Sequence, residues 1–394
     1  YLYERDGRLV RQITRGDWDV TTVIGVDTVS SVLYYAAASE SPMGRAILAT
    51  DLDDAGRARL VSGGRGMRSA SFSPDFRFFL ETSSTVSEPP TIALRDRAGA
   101  VIRVIEDNRR LQERLDQLEL REPEFLTVRA GDGTILNAVI MKPRDFDPGR
   151  EYPLLVYVYG GPGSQTVRDG WGGERYLWHQ LLVQNGVLVA SVDNRGTGAR
   201  GREFKQQVYL RLGQLEAADQ LAAVRQFAEY AFIDPSRIGI WGWSYGGYLS
   251  LMTTLLSDGE IAAAVAVAPV THWKFYDTAY TERFMRTPLD NPDGYRLGAP
   301  LTYADRLGSP LLIVHGTGDD NVHPQHTTEM TRALIDAGRP FEMQLYPNRT
   351  HSIRGGGARV HLFERITDFV MDNLLPAATD EPGPPRLDTG LFQD

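Results

Sequence analysis

The chain of 394 residues contains no cysteine. This excludes a disulfide framework, a thiolate zinc site and a cysteine nucleophile, and it leaves the compartment open. No run of eighteen or more apolar residues occurs, so no helical membrane span is expected. No signal peptide is visible at the start. An excess of positive charge is also missing: 42 Lys and Arg stand against 51 Asp and Glu, a formal net charge of −9. That balance argues against a nucleic-acid surface and gives no positive field for acidic substrates. Histidine is scarce, with seven in all, so a general base must be sought among His179, His272, His315, His323, His326, His351 and His361.

What is present divides in two. The length exceeds what one core usually supports, so two domains are expected. Residues 1 to about 108 are β-rich and repetitive. Tyr1 to Ile13, Ile47 to Val61 and Ile92 to Ile105 share one plan, a short strand, a turn with Asp or Gly, and a second short strand. Longer strand pairs lie between them, at Thr22 to Ala38 and Ser69 to Ser83. The spacing, a little under fifty residues, suggests four-stranded propeller blades, about two and a half of them. An ordinary antiparallel sheet is the plainer alternative. A closed ring needs at least four blades, and the chain opens on Tyr1 in mid-strand pattern, so it reads as the C-terminal portion of something longer.

Glu106 to Leu120 is charged, with Leu111, Leu115 and Leu118 at helical spacing, and reads as a linking helix. Phe125 to Ala130, Gly131-Asp132-Gly133 and Thr134 to Met141 form a β-hairpin. From Pro153 onward strand and helix patterns alternate, which predicts a mostly parallel sheet covered on both faces. The expected boundaries are a propeller portion at 1–108, a linker helix at 109–124, an α/β domain at 125–375 and a loose Pro-, Asp- and Gly-rich tail at 376–394.

The motif with the most chemistry is Gly242-Trp243-Ser244-Tyr245-Gly246-Gly247. It follows the apolar run Ile238 to Trp241 and precedes a helical pattern. A strand feeding Gly-x-Ser-x-Gly and then a helix lifts a serine hydroxyl onto a strained corner. The motif alone is weak; strand, turn and helix in order make it informative. Two further strand-to-loop transitions follow. Pro310 to Val314 opens into His315-Gly316-Thr317-Gly318-Asp319-Asp320-Asn321-Val322, and Phe341 to Tyr346 opens into Pro347-Asn348-Arg349-Thr350-His351-Ser352. The order Ser, Asp, His assigns Ser244 as nucleophile, His351 as general base and then acid, and Asp319 as the group that orients the imidazole. A serine hydroxyl needs a base to become nucleophilic, and histidine titrates near neutrality. Asp320 competes with Asp319 for the acid role; their side chains point in opposite directions, so only one of them reaches His351, and the choice of Asp319 rests on the family resemblance given below. His315 ends a strand and is expected to pack or hydrogen-bond there.

Val158-Tyr159-Gly160-Gly161-Pro162-Gly163 follows the first long buried strand, where this kind of fold supplies part of an oxyanion hole. The N–H of Tyr245 is the first donor expected, and the Tyr159 hydroxyl is a candidate second donor, with packing at a strand end as its alternative role. Trp273, Tyr276 and Tyr280 recur at helical spacing after another strand. Such a stripe is usually core, but its place on the active-site side suggests an uncharged aromatic slot suited to a small apolar ring such as proline.

These blocks together resemble the prolyl oligopeptidase clan and, within it, the dipeptidyl peptidase IV family. The Trp273, Tyr276-Asp277 and Tyr280-Thr281-Glu282-Arg283 pattern is more specific than Gly-x-Ser-x-Gly. The stretch Tyr346-Pro347-Asn348-Arg349-Thr350-His351-Ser352-Ile353-Arg354 is most similar to the dipeptidyl peptidase 8 and 9 branch and bacterial relatives. The resemblance covers residues 1–375. It implies an α/β-hydrolase behind a β-propeller, and release of N-terminal dipeptides with proline, less well alanine, at the second position. By that resemblance Ser244, Asp319 and His351 are the triad and Tyr159 and Tyr245 make the oxyanion hole. Tyr245, Val270, Trp273, Tyr276, Tyr280 and Val322 would line the proline pocket, and Asn321 would hold the substrate's internal carbonyl. It also implies a homodimer, no metal and no cofactor. One feature departs: the glutamate pair by which the family fixes the substrate amine is not found in this chain and is expected upstream of Tyr1. The alternatives are therefore an acylaminoacyl peptidase or oligo-endopeptidase of the same clan, and a catalytically silent propeller-hydrolase that serves as a binding module.

Overall fold

The computed structural model describes residues 1–53 and 57–375. The tail expected at 376–394 lies outside the described residues, as do residues 54–56 within the Ile47 to Val61 repeat. The chain forms two compact units.

The first unit comprises Tyr1–Pro123, Val167–Leu177 and Gly198–Lys205. A ribbon of β1 (Leu2–Tyr3) and β2 (Leu9–Arg11) precedes two four-stranded antiparallel sheets. The first is β3 (Val20–Asp27), β4 (Val32–Ala37), β5 (Ala46–Asp51) and β6 (Ala58–Ser62), and the second is β7 (Met67–Phe72), β8 (Phe78–Ser84), β9 (Thr91–Asp96) and β10 (Val101–Glu106). Each sheet pairs its strands in simple sequence order, as propeller blades do. The sheets share an aromatic core, where Tyr34 and Ile47 of one meet Phe72, Phe76 and Phe79 of the other. Tyr34 and Phe72 rings lie 4.4 Å apart, a spacing at which aromatic pairs add to the burial energy. The helix α1 spans only Arg109–Gln117, because Glu106 closes β10 and Asn108 turns at φ 48 before the helix can start. It is amphipathic as read, with Leu115 buried.

Of the described residues, the second unit comprises Glu124–Thr166, Trp178–Thr197 and 206–375. Its eight-stranded sheet runs β11-β12-β14-β13-β15-β16-β17-β18. The strands are β11 (Glu124–Arg129), β12 (Ile135–Met141), β13 (Tyr152–Val158), β14 (Leu188–Asp193), β15 (Ile233–Trp243), β16 (Ala263–Val267), β17 (Leu311–Gly316) and β18 (Glu342–Tyr346). The hairpin β11–β12 is antiparallel and meets β14 antiparallel, while β14 through β18 pair in parallel. This is the α/β-hydrolase arrangement expected. The interior strands β13, β14, β16 and β17 are buried at every residue. That is why they read as unbroken apolar runs rather than alternating ones. Each fully buried Val, Ile or Leu there contributes roughly 1.5–3 kcal/mol by leaving water.

Helices α2 (Gly173–Gln184), α3 (Gly201–Gln206), α4 (Gln214–Ala228) and α5 (Tyr245–Leu256) alternate with the strands. After them come α6 (Thr278–Met285), α7 (Pro292–Leu297), α8 (Gln325–Asp336) and α9 (Ala358–Leu374). Strand β13 sits between β14 and β15, so the direction of strand addition reverses beside it. A crevice opens at such a point, at the carboxyl ends of the strands, and Tyr159 and Ser244 are the residues that follow β13 and β15 there.

Candidate active site

Ser244 stands between β15 and α5 at φ 62, ψ −121, a strained conformation for a serine and a mark of functional corners. Its N–H donates to the Val267 carbonyl at 2.8 Å, and its carbonyl accepts from Tyr248 N–H at 2.9 Å, which starts the helix. The corner requires glycines. A Cβ on Gly246 would stand 2.2 Å from the Val158 carbonyl oxygen, and one on Gly242 2.3 Å from that of Gly246. The result is a half-exposed hydroxyl beside the N-terminal end of α5, where backbone N–H groups favour negative charge.

Asp319 lies in the loop after β17, 3 % exposed, whereas Asp320 is exposed. Asp319 Oδ2 is 2.7 Å from His351 Nδ1. Its Oδ1 accepts the N–H groups of Asn321 and Val322, each at 3.0 Å. A second histidine, His315, is fully buried and lies 3.3 Å from the same Oδ2 through Nε2. His315 also bonds the Val322 carbonyl at 2.8 Å through Nε2 and the Thr327 hydroxyl at 2.7 Å through Nδ1. The carbonyl can only accept, so its partner Nε2 carries the proton. Burial pushes the Asp319 carboxyl up, but hydrogen bonds from His315, His351 and Asn321 N–H, with the imidazole charge, outweigh it and hold the group well below the usual carboxylate range. His351 is half-buried, and its Nε2 remains available for a proton.

On the other side, the loop after β13 is tied down from beneath. Asn194 Nδ2 donates to the Gly160 carbonyl at 3.0 Å, and Gln220 Nε2 donates to Asn194 Oδ1 at 3.0 Å. Gly160 has φ 70, and a Cβ there would stand 2.4 Å from Asn194 Oδ1. The loop carries Tyr159, half-buried, with its ring 6.2 Å from that of Tyr245. Burial pushes the phenols of Tyr159, Tyr245, Tyr276 and Tyr280 up, so all four are protonated donors near neutral pH.

The aromatic residues do meet, though not along one helix. Trp273 opens a 3₁₀ turn (Trp273–Phe275), and Asp277 then caps α6 by accepting from Tyr280 N–H at 2.8 Å. The Trp273 and Tyr280 rings stack at 6.0 Å, and Tyr276 stands edge-on to both. Tyr245 lies 5.6 Å from Trp273. The Tyr276 hydroxyl donates to Asn321 Oδ1 at 2.9 Å, which joins the slot to the Asp319 loop. Val270 and Val322 are buried at 2 % and 0 %, Val322 against Asp319 and His315 and Val270 just past β16. His361, on α9, pairs with Tyr346 at 2.8 Å, away from Asp319.

Sequence reasoning missed Glu216. It is fully buried on α4 and accepts the Tyr245 hydroxyl at 2.8 Å through Oε1, while Oε2 has no partner. Burial pushes its carboxyl up to about 7. The signal was present in the spacing: Glu216, Asp219, Gln220, Ala223 and Phe227 share one buried stripe of α4. The folded protein keeps this proton to about pH 7, against an ordinary value of 4.5. Stability contributed by the neutral acid is therefore complete below pH 4.5 and lost as pH rises through 7. The unfolding free energy of the wild type, from urea titrations, is expected to fall between pH 5 and 8 by on the order of 3 kcal/mol more than that of Glu216→Gln. Parallel pH profiles for the two proteins would show that Glu216 is ionised throughout.

Among the described residues no group of His, Asp and Glu is arranged to hold a metal ion, and no helix is long and apolar enough to cross a membrane.

Residues 175–376 match the model of the prolyl oligopeptidase family, and residues 1–90 match the dipeptidyl peptidase IV N-terminal region. Mouse dipeptidyl peptidase 8 is 33 % identical over 375 residues, which cover 92 % of this chain and 42 % of the relative. Mouse prolyl endopeptidase FAP is 38 % identical over 285 residues, covering 71 % of this chain and 37 % of the relative. The crystal structure of Porphyromonas gingivalis dipeptidyl peptidase 4 superposes with a TM-score of 0.91 at 44 % identity, over 95 % of this chain and 52 % of that one. The chain thus spans about half the length of these relatives or less. It belongs to the prolyl oligopeptidase family, in the dipeptidyl peptidase IV group.

Proposed function

We propose that this chain carries the catalytic machinery of a serine peptidase that releases N-terminal dipeptides with proline, less well alanine, at the second position. The observation that carries the reading is the 2.7 Å bond from buried Asp319 to His351, in a fold that also holds Ser244 at a strained strand-to-helix corner. Ser244 Oγ attacks the scissile carbonyl as His351 Nε2 takes its proton. Asp319 fixes the Nδ1–H tautomer and stabilises the imidazolium. The oxyanion receives the Tyr245 N–H and the Tyr159 hydroxyl. His351 returns the proton to the departing amine, and water then hydrolyses the acyl-Ser244 by the same route in reverse. Trp273, Tyr276, Tyr280, Tyr245, Val270 and Val322 form the proline slot, and Asn321, held by Tyr276, binds the internal carbonyl. No cofactor enters this scheme.

In this reading residues 125–375 are the catalytic domain, 109–124 the linker and 1–108 the end of the propeller. A homodimer through the catalytic domain is part of the proposal. In its support, β18 is an edge strand with Met343 and Leu345 exposed, a feature that invites pairing. Sedimentation of the full-length protein tests it, and a monomer at micromolar concentration would count against it.

Hydrolysis of Gly-Pro-anilide against its N-blocked form, on the full-length protein with Ser244→Ala as control, tests the function. Turnover of the free-amine substrate alone, lost in the variant, is expected. Preference for the blocked substrate would favour the endopeptidase register, the reading to which the similarity to mouse prolyl endopeptidase FAP points.

A further inference from the structure

His351 rides on a loop with no regular structure, and Asp319 holds only its imidazole. Its backbone next to the imidazole is held in part by two side chains from other elements. Trp243, the last residue of β15 and the neighbour of Ser244, donates its indole Nε1–H to the His351 carbonyl at 3.0 Å. Arg359, from the first turn of α9, donates Nη1 to the next carbonyl, that of Ser352, at 3.2 Å. These two side chains also touch each other: the Arg359 guanidinium lies 5.0 Å from the Trp243 ring and 4.8 Å from that of Phe363, one turn further along α9. A guanidinium over an indole face at that distance is attracted by the ring's quadrupole.

Between them the loop makes a tight turn, with Ile353 N–H donating to the Thr350 carbonyl at 3.0 Å. Fully buried Ile353 sits at φ 47, a genuine outlier for a β-branched residue. Such strain persists only where the surroundings over-determine it, and the Trp243–Arg359 pair supplies part of that restraint.

Resting on the serine-hydrolase reading above, we propose that Trp243 is a positioning residue that sets how closely His351 approaches Ser244, with Arg359 as its brace. One rigid indole joins the nucleophile's own strand to the carbonyl of the base. Any movement of the His351 loop away from the corner must break that bond, and the arginine stacked above keeps the indole from rotating out of line. Neither residue touches the reacting atoms. Their effect falls on the Ser244–His351 geometry, where a displacement of about 1 Å can cost around 100-fold in rate.

Trp243→Phe keeps a ring beneath Arg359 and removes the donor. Arg359→Met removes the brace and keeps the stem. The readout is the second-order rate of fluorophosphonate labelling of Ser244 in the full-length protein, measured across pH beside the urea midpoint. Trp243→Phe is expected to slow labelling by about 10–100-fold with an unchanged urea midpoint. The acidic limb of its pH profile stays in place, because the lost bond is to a backbone carbonyl and not to the imidazole. The anilide KM stays close to wild type while kcat falls. Arg359→Met gives a smaller loss, and the double variant is no slower than Trp243→Phe, because the two act as one unit. Labelling within twofold of wild type, or a loss that tracks the urea midpoint, would overturn the proposal. A wild type that labels yet cleaves neither anilide would sink the peptide assignment alone, because the labelling rates of the variants judge this one without any peptide.

Discussion

Asp319→Asn should lower kcat by about 10⁴-fold at neutral pH, with KM little changed. The substitution is nearly isosteric, so the loss would come from hydrogen-bond polarity. The two backbone N–H groups of Asn321 and Val322 both point at Oδ1, and they will hold the amide oxygen there. The amide NH₂ then faces His351 Nδ1, which must accept rather than donate. That places the imidazole proton on Nε2, the atom that has to take the serine proton, and the base is blocked by its own tautomer. His315 cannot substitute as orienter, since its own Nε2–H is directed at the Val322 carbonyl and at this same carboxylate. Steady-state kinetics with Gly-Pro-anilide checks the effect. A loss below 10-fold would mean that the Asp319–His351 bond is structural and that the base is oriented by other means. The same carboxylate makes acid sensitivity predictable in sign. Its folded pKa is depressed, so the stability it contributes is present above the ordinary carboxylate range and is lost as pH falls.

Tyr159→Phe is the second large effect, a fall in kcat of about 10²–10³-fold. The phenol is half-buried beside Tyr245 on a loop that Asn194 and Gln220 secure. A donor fixed in advance costs no reorganisation when the carbonyl oxygen gains charge, which is why one such donor is worth several kcal/mol. Burial holds the phenol pKa up, so the donor is intact near neutral pH. Because the bond strengthens only in the transition state, KM should move little and kcat should carry the loss. The unfolding free energy from urea titration should move by less than about 1 kcal/mol, the ordinary net worth of one hydrogen bond. A kcat within threefold of wild type would return Tyr159 to packing at the end of β13 and leave the Tyr245 N–H as the main donor.

Most of the hydrolase unit could be read from the chain because its strands are buried on both faces. Runs such as Leu154 to Val158 and Leu311 to Val314 have no polar interruptions to obscure them. The elbow was legible for a related reason: Gly242, Gly246 and Gly247 stand where backbone passes so close that no side chain fits. Asp319 and His351 could be paired because each follows a strand at the same edge of the sheet. The helical spacing of Trp273, Tyr276 and Tyr280 pointed to rings that meet, but the rings meet across a 3₁₀ turn and a new helix, since Asp277 restarts the backbone between Tyr276 and Tyr280. What stayed hidden were groups whose types are ordinary on a surface. Glu216, Asn194 and Gln220 belong to polar residue types that usually face water, and only tertiary packing reveals that all three are 0 % exposed. Trp243 posed a different difficulty. No sequence pattern indicates that the indole N–H beside the nucleophile reaches the His351 carbonyl, 108 positions away.

The first unit gathers Val167–Leu177 and Gly198–Lys205 to itself although Pro123 ends its continuous part. During synthesis, that unit stays unfinished until Lys205 has left the ribosome. At ordinary elongation of ~5–20 residues per second, the wait after Pro123 is roughly 4–16 s. Over that interval, groups that the late segments will bond, such as the Met43 carbonyl, the Val86 N–H and the Arg65 guanidinium, all held by Asp169 in the folded unit, stay open to other chains. A gene fragment ending at Pro123 would make that interval permanent. The border between the units is therefore a poor place to cut the protein, and a soluble N-terminal piece should be sought only in fragments that run past Lys205.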